Sequence, residues 1–391
     1  MIKKPFYKII LLFVIGFYFS SCKKDVAIVP DVKPEFENTY GTASTDVLNE
    51  AVLANNGTIM SVGFTNGTGA GGFDGWLVNS DTKGNVIWQQ TFGGSGDDFL
   101  KSILKTNDGG FLLTGHTFSG TAGAEDSWVI KLSSTGQIEW EKKYGGSSPD
   151  FCFNAVQLSD NSYLLAASTQ SFGAGSLDHV ILKLDASGNM LTYKTFGDNT
   201  VQGYGRIIQK PDGNFFICGR TDKNGSADID VIEINANLDS IREFTFGTTA
   251  YEESKNIICL SDGNFMLAGH TAGFNHPEHN FYAVKFNGSG NIIWEKNYGT
   301  PQHDGAEHLL QMSEDRFVLT GRSEGNYGNG EDMRCVIIDQ NGNEIKSFYK
   351  GGTGSDQAFF SLKNENYFFT VGRKETSSSN LDGWMMYTPI D

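Results

Sequence analysis

Five of the seven histidines in this 391-residue chain fall between residues 270 and 308: His270, His276, His279, His303 and His308. Imidazole is the commonest side-chain ligand for divalent metals, and Glu278 stands between two of them in the run Asn275-His276-Pro277-Glu278-His279. His276, Glu278, His279, His303 and His308 therefore form a candidate nitrogen–oxygen site for zinc, copper or nickel. The run lacks the HExxH spacing with which one helix face presents two ligands. Surface histidines on a diverged loop are the simpler assignment, so no cofactor is expected and a divalent metal is the alternative. A second set is aromatic: Phe118, Phe172, Phe274 and Tyr327, joined by Phe73. Exposed rings beside Asn, Asp and Gly stack on sugars or anchor a protein partner. Arg206 and Arg220 are a third set, two guanidinium groups suited to one anion.

Three polar positions recur along the chain. An acid comes first, as at Asp46, Asp98, Asp150 and Asp304. The second position holds His116, Arg220, His270, Arg322 and Arg373, with Ser168 and Phe64 as exceptions. The third is again acidic: Asp74, Asp126, Asp178, Asp230, Asp332 and Asp382. A histidine near two carboxylates suits general acid–base catalysis. Recurrence argues for hydrogen bonds and ion pairs that serve every repeat, so all three positions are read as structural and no catalytic residue is assigned.

The elements that carry these residues follow from a repeat. An aromatic–glycine step returns at Tyr40-Gly41, Phe92-Gly93, Tyr144-Gly145, Phe196-Gly197, Phe246-Gly247 and Tyr298-Gly299, and again as Tyr349-Lys350-Gly351. A period of about 50 residues marks a repeat architecture. In the second copy, apolar runs at 99–106, 111–117, 126–133 and 137–144 are separated by turn residues such as Asn107-Asp108-Gly109-Gly110, the signature of four short strands. No segment has an apolar stripe at helical spacing. The predicted fold is all-β, a seven-bladed β-propeller of four-stranded antiparallel blades. The last repeat stops after its third strand, and residues 35–40 match a fourth. The N-terminal strand is therefore expected to complete the last blade and close the ring. Glu50, Ser102, Asn154, Arg206, Asn256, His308 and Phe360 fall on the innermost strands and are expected to line a wet central channel.

The patterns D-G-G-F-L-L-x-G-H-T, D-x-W-V-I-K-L and G-x-x-x-W-x-K-x-Y-G-G resemble repeats of bacterial secreted and lipoprotein β-propellers. The stretch from Asp81 to Trp88 is similar to the tryptophan motif of quinoprotein repeats, and the Gly-His and Asp positions to WD repeats. Lys3, Lys4 and Lys8, an apolar run from Ile9 to Phe19 too short to span a bilayer, and Phe19-Ser20-Ser21-Cys22 resemble a lipoprotein signal. Lys23-Lys24-Asp25 looks like the charged stretch that follows the lipidated cysteine in Bacteroidota. The resemblance implies a signal peptide at 1–21, lipidated Cys22, a flexible tether at 22–34 and the propeller at 35–391, held at the outer membrane and facing the cell surface or periplasm. The net charge of −16 excludes nucleic acid and leaves the lipid anchor as the only membrane contact. Cys152, Cys218, Cys259 and Cys335 show no CxxC spacing and read as buried free thiols. The expected function is non-enzymatic: a monomeric binding or scaffold module that offers one propeller face to a glycan or protein. The alternatives are a quinoprotein-like oxidoreductase, a glycan hydrolase or lyase, and a metal-binding propeller.

Overall fold

The computed structural model describes residues 36–121, 123–223, 225–274, 278–324, 330–364, 367–377 and 380–389. The proposed signal segment, Cys22, the tether, Glu35, His276 and Tyr327 lie outside them.

Tight turns cut the chain into strands. In the second blade, Asp98–Lys105, Phe111–Thr117, Asp126–Leu132 and Ile138–Tyr144 pair antiparallel in sequence order. The first turn closes through Gly109 N–H to Thr106 O (2.9 Å), and Asp108 accepts the Gly110 N–H at 2.9 Å. Gly109 has a φ of +83°, a conformation that costs other residues more. Seven such four-stranded sheets make up the described chain, and no helix occurs among the described residues.

Blades pack face to face. In most blades the third strand is buried along nearly its whole length, as Asp126–Leu132 shows, because neighbouring blades cover both its faces. Trp76, Trp128, Tyr282 and Trp384 hold the same inward place on it. The fourth strand, such as Ile138–Tyr144, is mostly exposed and forms the perimeter. The aromatic of the repeat signature ties one blade to the next. Tyr40, Tyr144 and Tyr298 each donate a hydroxyl hydrogen bond to a glycine carbonyl in the following blade's outer hairpin, at 2.6–2.8 Å. In the seventh copy the pairing register places Lys350, not Tyr349, at this position, because Met333 pairs with Lys350 as Phe281 pairs with Tyr298. Lys350 ion-pairs with Glu37 at 3.2 Å instead. The glycine that follows the aromatic is demanded by crowding: a Cβ on Gly197 would overlap the Asp178 carboxylate.

Ring closure is as expected. Phe36–Tyr40 pairs antiparallel with Asn380–Pro389, so the sheet runs from the N-terminal strand through the chain's last, second-last and third-last strands. Cys152, Cys218 and Cys335 are buried free thiols and Cys259 is half-buried. Burial pushes the Cys152 thiol up to about 12, which leaves it unreactive.

Candidate functional site: an axial cavity built by seven bulges

Every first strand breaks register just before its innermost polar position, skipping one residue in six blades and two in the fourth. The pairing jumps from Leu48 to Glu50, from Leu100 to Ser102 and from Cys152 to Asn154, and likewise in the other blades. A bulge leaves a residue unpaired and re-aims its side chain. Here the unpaired residues are Asn49, Lys101 and Phe153 in the first three blades, Tyr204 and Gly205 in the fourth, where the break is one residue longer, and Lys255, Glu307 and Phe359 in the last three. All of them except Gly205 line one cavity of about 590 Å3 on the propeller axis. The cavity opens on the face that carries the starts of the first strands and the ends of the second strands, through Val47, Phe64, His116 and Arg373.

Its two sides differ chemically. On the side of the first four blades, rings run in unbroken contact: Phe73 on Phe64 (5.3 Å between centroids), Phe64 on Phe99 (5.0 Å), Phe99 on His116 (5.0 Å) and His116 on Phe151 (5.3 Å). Phe153 and Tyr204 continue the wall at 5.8 Å. The other side is ionic. Glu307 meets Arg322 at 3.0 Å and His270 at 3.5 Å, and Lys255 meets Glu253 at 2.6 Å. Burial works to raise the Glu307 pKa, but the His270 hydrogen bond and the charges of Lys255 and Arg322 bring it down to about 2. Burial, with the charge of Lys101, lowers His116 to about 3, so this imidazole is neutral at physiological pH.

The floor corrects the expectation of a wet channel. Arg206 reaches across to Glu50 at 2.6 Å, and Ser102 donates to the same carboxylate at 3.2 Å. His308 packs on Phe360 with centroids 3.9 Å apart and accepts the Ser361 N–H at 3.3 Å. Glu50, Ser102, Asn256 and His308 are all buried, so these groups plug the axis.

Several sequence-derived sets are dispersed. Arg206 and Arg220 do not share an anion site: Arg220 is held by both oxygens of Asp222 at 2.9 Å and stacks on Tyr251. Phe118 is exposed, Phe172 packs on Tyr193 at 5.2 Å beside the outer strand, and Phe274 leans on Tyr282 at 5.6 Å; none of the three lines the cavity. The proposed metal set is also separated. His279 and His303 lie 5.0 Å apart with Tyr251 and His270 beside them, whereas His308 belongs to the floor and Glu278 is exposed. Among the described residues, no group of three or more His, Cys, Asp and Glu side chains is arranged to hold a metal.

The three recurring polar positions split by role. The first-strand acids do fasten loops: Asp98 accepts the Gly94 N–H and the Ser119 hydroxyl, both at 2.8 Å, and the Thr117 hydroxyl. The third-strand acids do the same, as Asp178 does for the Ala174 N–H at 2.9 Å. The second-strand position serves the cavity, where Phe64, His116 and Arg373 line it directly. In the fourth blade the recurring third-strand acid is Asp228, not Asp230: Asp228 pairs with Thr221 as Asp178 pairs with Thr169. Asp230 lies deeper, 4.0 Å from His179, and each of the two is 1 % exposed. Burial and the nearby Glu243 charge push Asp230 up to about 7, and burial lowers His179 to about 4.

The bulged residues escaped sequence reasoning because it placed the channel lining one residue further on, at Glu50, Ser102 and their equivalents. The available signal was the variability of that preceding position, which changes from Asn to Lys, Phe, Gly, Lys, Glu and Phe around the ring.

Fold and site together define a seven-bladed β-propeller with a plugged axis and a cavity above the plug. No protein family matches the chain, and no curated protein matches it in sequence. Solved structures share the fold. The Pan2 WD40 domain of Neurospora crassa aligns over 93% of this chain and 98% of its own, with a TM-score of 0.54 at 9% identity. The polysaccharide lyase Uly1 aligns over 90% of this chain and 92% of its own, with a TM-score of 0.54 at 11% identity. Puromycin hydrolase aligns over 91% of this chain and 55% of its own, with a TM-score of 0.56 at 10% identity. At such identities the likeness is one of fold.

Proposed function

We propose that the chain is a non-enzymatic glycan-binding protein whose ligand sits in the axial cavity. The carrying observation is the aromatic wall: Phe64, Phe151, Phe153, Tyr204 and the His116 imidazole come from four blades to line the cavity, with Phe73 and Phe99 packed against them. Flat apolar rings beside polar groups such as Asn49 and Gln357 match the alternating faces and hydroxyls of a sugar, and the volume is that of a small-molecule site. A binding role, rather than catalysis, is supported by the titrating groups. His116 and Glu307 are tuned far below neutral pH, whereas a general acid or base works best near it. Asp230, whose pKa is near neutral, is sealed from solvent.

Cys22 would tether the propeller by lipid to the outer membrane, with residues 22–34 as spacer, so that the open face samples glycans at the cell envelope. The test is thermal unfolding across a glycan library, with recovery of each ligand for chemical analysis. A bound sugar at a hundred times its Kd stabilises the fold by about 2.7 kcal/mol. The expected outcome is a rise in Tm with the sugar recovered intact; a cleaved or oxidised sugar makes the protein an enzyme.

A further inference from the structure

Two features of the cavity narrow the ligand beyond the glycan class. The first is Lys101. Its ammonium lies over the rings of Phe64 (5.6 Å) and Phe99 (5.7 Å), on the aromatic side of the cavity. The other cations lining the cavity face carboxylates: Arg206 faces Glu50, Lys255 faces Glu253, and Arg373 is 3.9 Å from Glu331. No carboxylate lies within ion-pair distance of Lys101 among the described residues. Burial lowers its pKa against the opposing pull of the Glu307 charge, and the ammonium has no carboxylate in direct contact.

The second feature is Tyr204. The corresponding first-strand residues are Leu48, Leu100, Cys152, Ser254, Ala306 and Ala358, all buried between blades. Tyr204 alone is turned out: it is 45% exposed, its φ is +62°, and the register break spans Gly203 to Arg206. A left-handed backbone on a bulky residue is strained, and such strain gathers at functional positions. The surrounding structure holds it there. Ser168 Oγ accepts the Tyr204 N–H at 2.9 Å, and Gly205 has no side chain because the His179 ring occupies that space. The result is a projecting ring at the cavity edge, where a planar ligand face can lie.

Resting on the glycan-binding reading, we infer that the ligand is a short oligosaccharide bearing one carboxylate, a uronic acid or similar acidic sugar. Lys101 takes the carboxylate, and Tyr204 stacks on a neighbouring ring. One unpaired cation matches one acid group, and the net charge of −16 disfavours a polyanion.

The experiment uses matched pairs on the full chain: neutral disaccharides, and the aldobiouronic acids that differ from them only by oxidation of one CH2OH to COOH. Affinities are measured by titration calorimetry at pH 7. For at least one pair the acid is expected to bind tenfold or more tightly than its neutral partner. Lys101→Met should remove that preference and Lys101→Arg keep it, with thermal unfolding of each variant checking the fold. Tyr204→Ala should weaken the acid about tenfold without abolishing the preference. If neutral and acidic partners bind equally, the acid assignment is overturned while glycan binding stands. If no member of any pair binds, both fall. A preference that survives Lys101→Met in a folded variant also overturns the role of Lys101.

Discussion

Burial moves the proton affinities of the neighbouring Asp230 and His179 in opposite directions. The folded Asp230 carboxyl holds its proton up to about pH 7, whereas the unfolded group releases it near its ordinary value of 3.8. Between those limits the folded chain binds more protons, so this contribution to stability falls as pH rises. His179 acts in the opposite sense. Its folded pKa is about 4 against 6.5 when free, so its contribution is present above 6.5 and is lost as pH falls toward 4. Asp230→Asn removes only the first effect. The variant is expected to exceed the native protein in stability at pH 8 by on the order of 3 kcal/mol, with the gap closing toward pH 4. Urea unfolding at pH 4.5, 6 and 8 measures it; a gap independent of pH would falsify the buried-carboxyl account. Misplacing the recurring acid at Asp230 has a local cause. Six residues lie between Thr221 and Asp228 but eight between Thr169 and Asp178, so the loop shortens by two in the fourth blade. Counting forward by the usual period then lands on the wrong aspartate.

Among the elements, the N-terminal strand is the one whose role reaches furthest along the chain. Phe36–Tyr40 completes the seventh blade, and Tyr40 joins the core cluster of Leu48, Trp76, Val371 and Met385. Its hydroxyl donates to Gly84 O at 2.7 Å, in the first blade. Without it, the edge of Asn380–Pro389 is bare, and bare edges recruit other chains. Deleting residues 36–40 should cost about 4 kcal/mol or more and bring self-association, read as a lower Tm together with early elution on size exclusion. A monomeric deletion variant with native Tm would show that closure lies elsewhere. The strands themselves were legible from turn residues: the expected 111–117 and the observed Phe111–Thr117 coincide. The bulges were not. A bulge changes pairing without changing the apolar pattern, so Lys101 and Glu307 reach the cavity with no local cue.

At the scale of the whole molecule, closure makes each blade the neighbour of two others, with no end from which unfolding can begin. Open repeat arrays unfold piecemeal because each unit touches only its chain neighbours. The closed ring is expected to unfold in one transition. Tryptophan fluorescence samples Trp76, Trp88, Trp128, Trp140, Trp294 and Trp384 in the first, second, fifth and seventh blades, while far-ultraviolet circular dichroism reports every strand. The two unfolding curves should coincide; separated midpoints would mean that blades melt independently.

The sequence by itself determined the all-β class, the number of blades, the order and approximate place of the strands and the closing partner of the N-terminal strand. Those properties are periodic, and a pattern repeated seven times averages out local exceptions. Only the tertiary structure decided which variable residues meet. Phe64, Lys101, Phe153, Tyr204 and Glu307 come from separate blades, and their convergence depends on the bulges and on closure of the ring. It also decided that Arg206 spends its charge on Glu50 across the ring, 156 residues away in sequence, rather than on an external anion. A repeat signals its own contacts because every blade makes them; a site made once, by all the blades together, leaves no period to read.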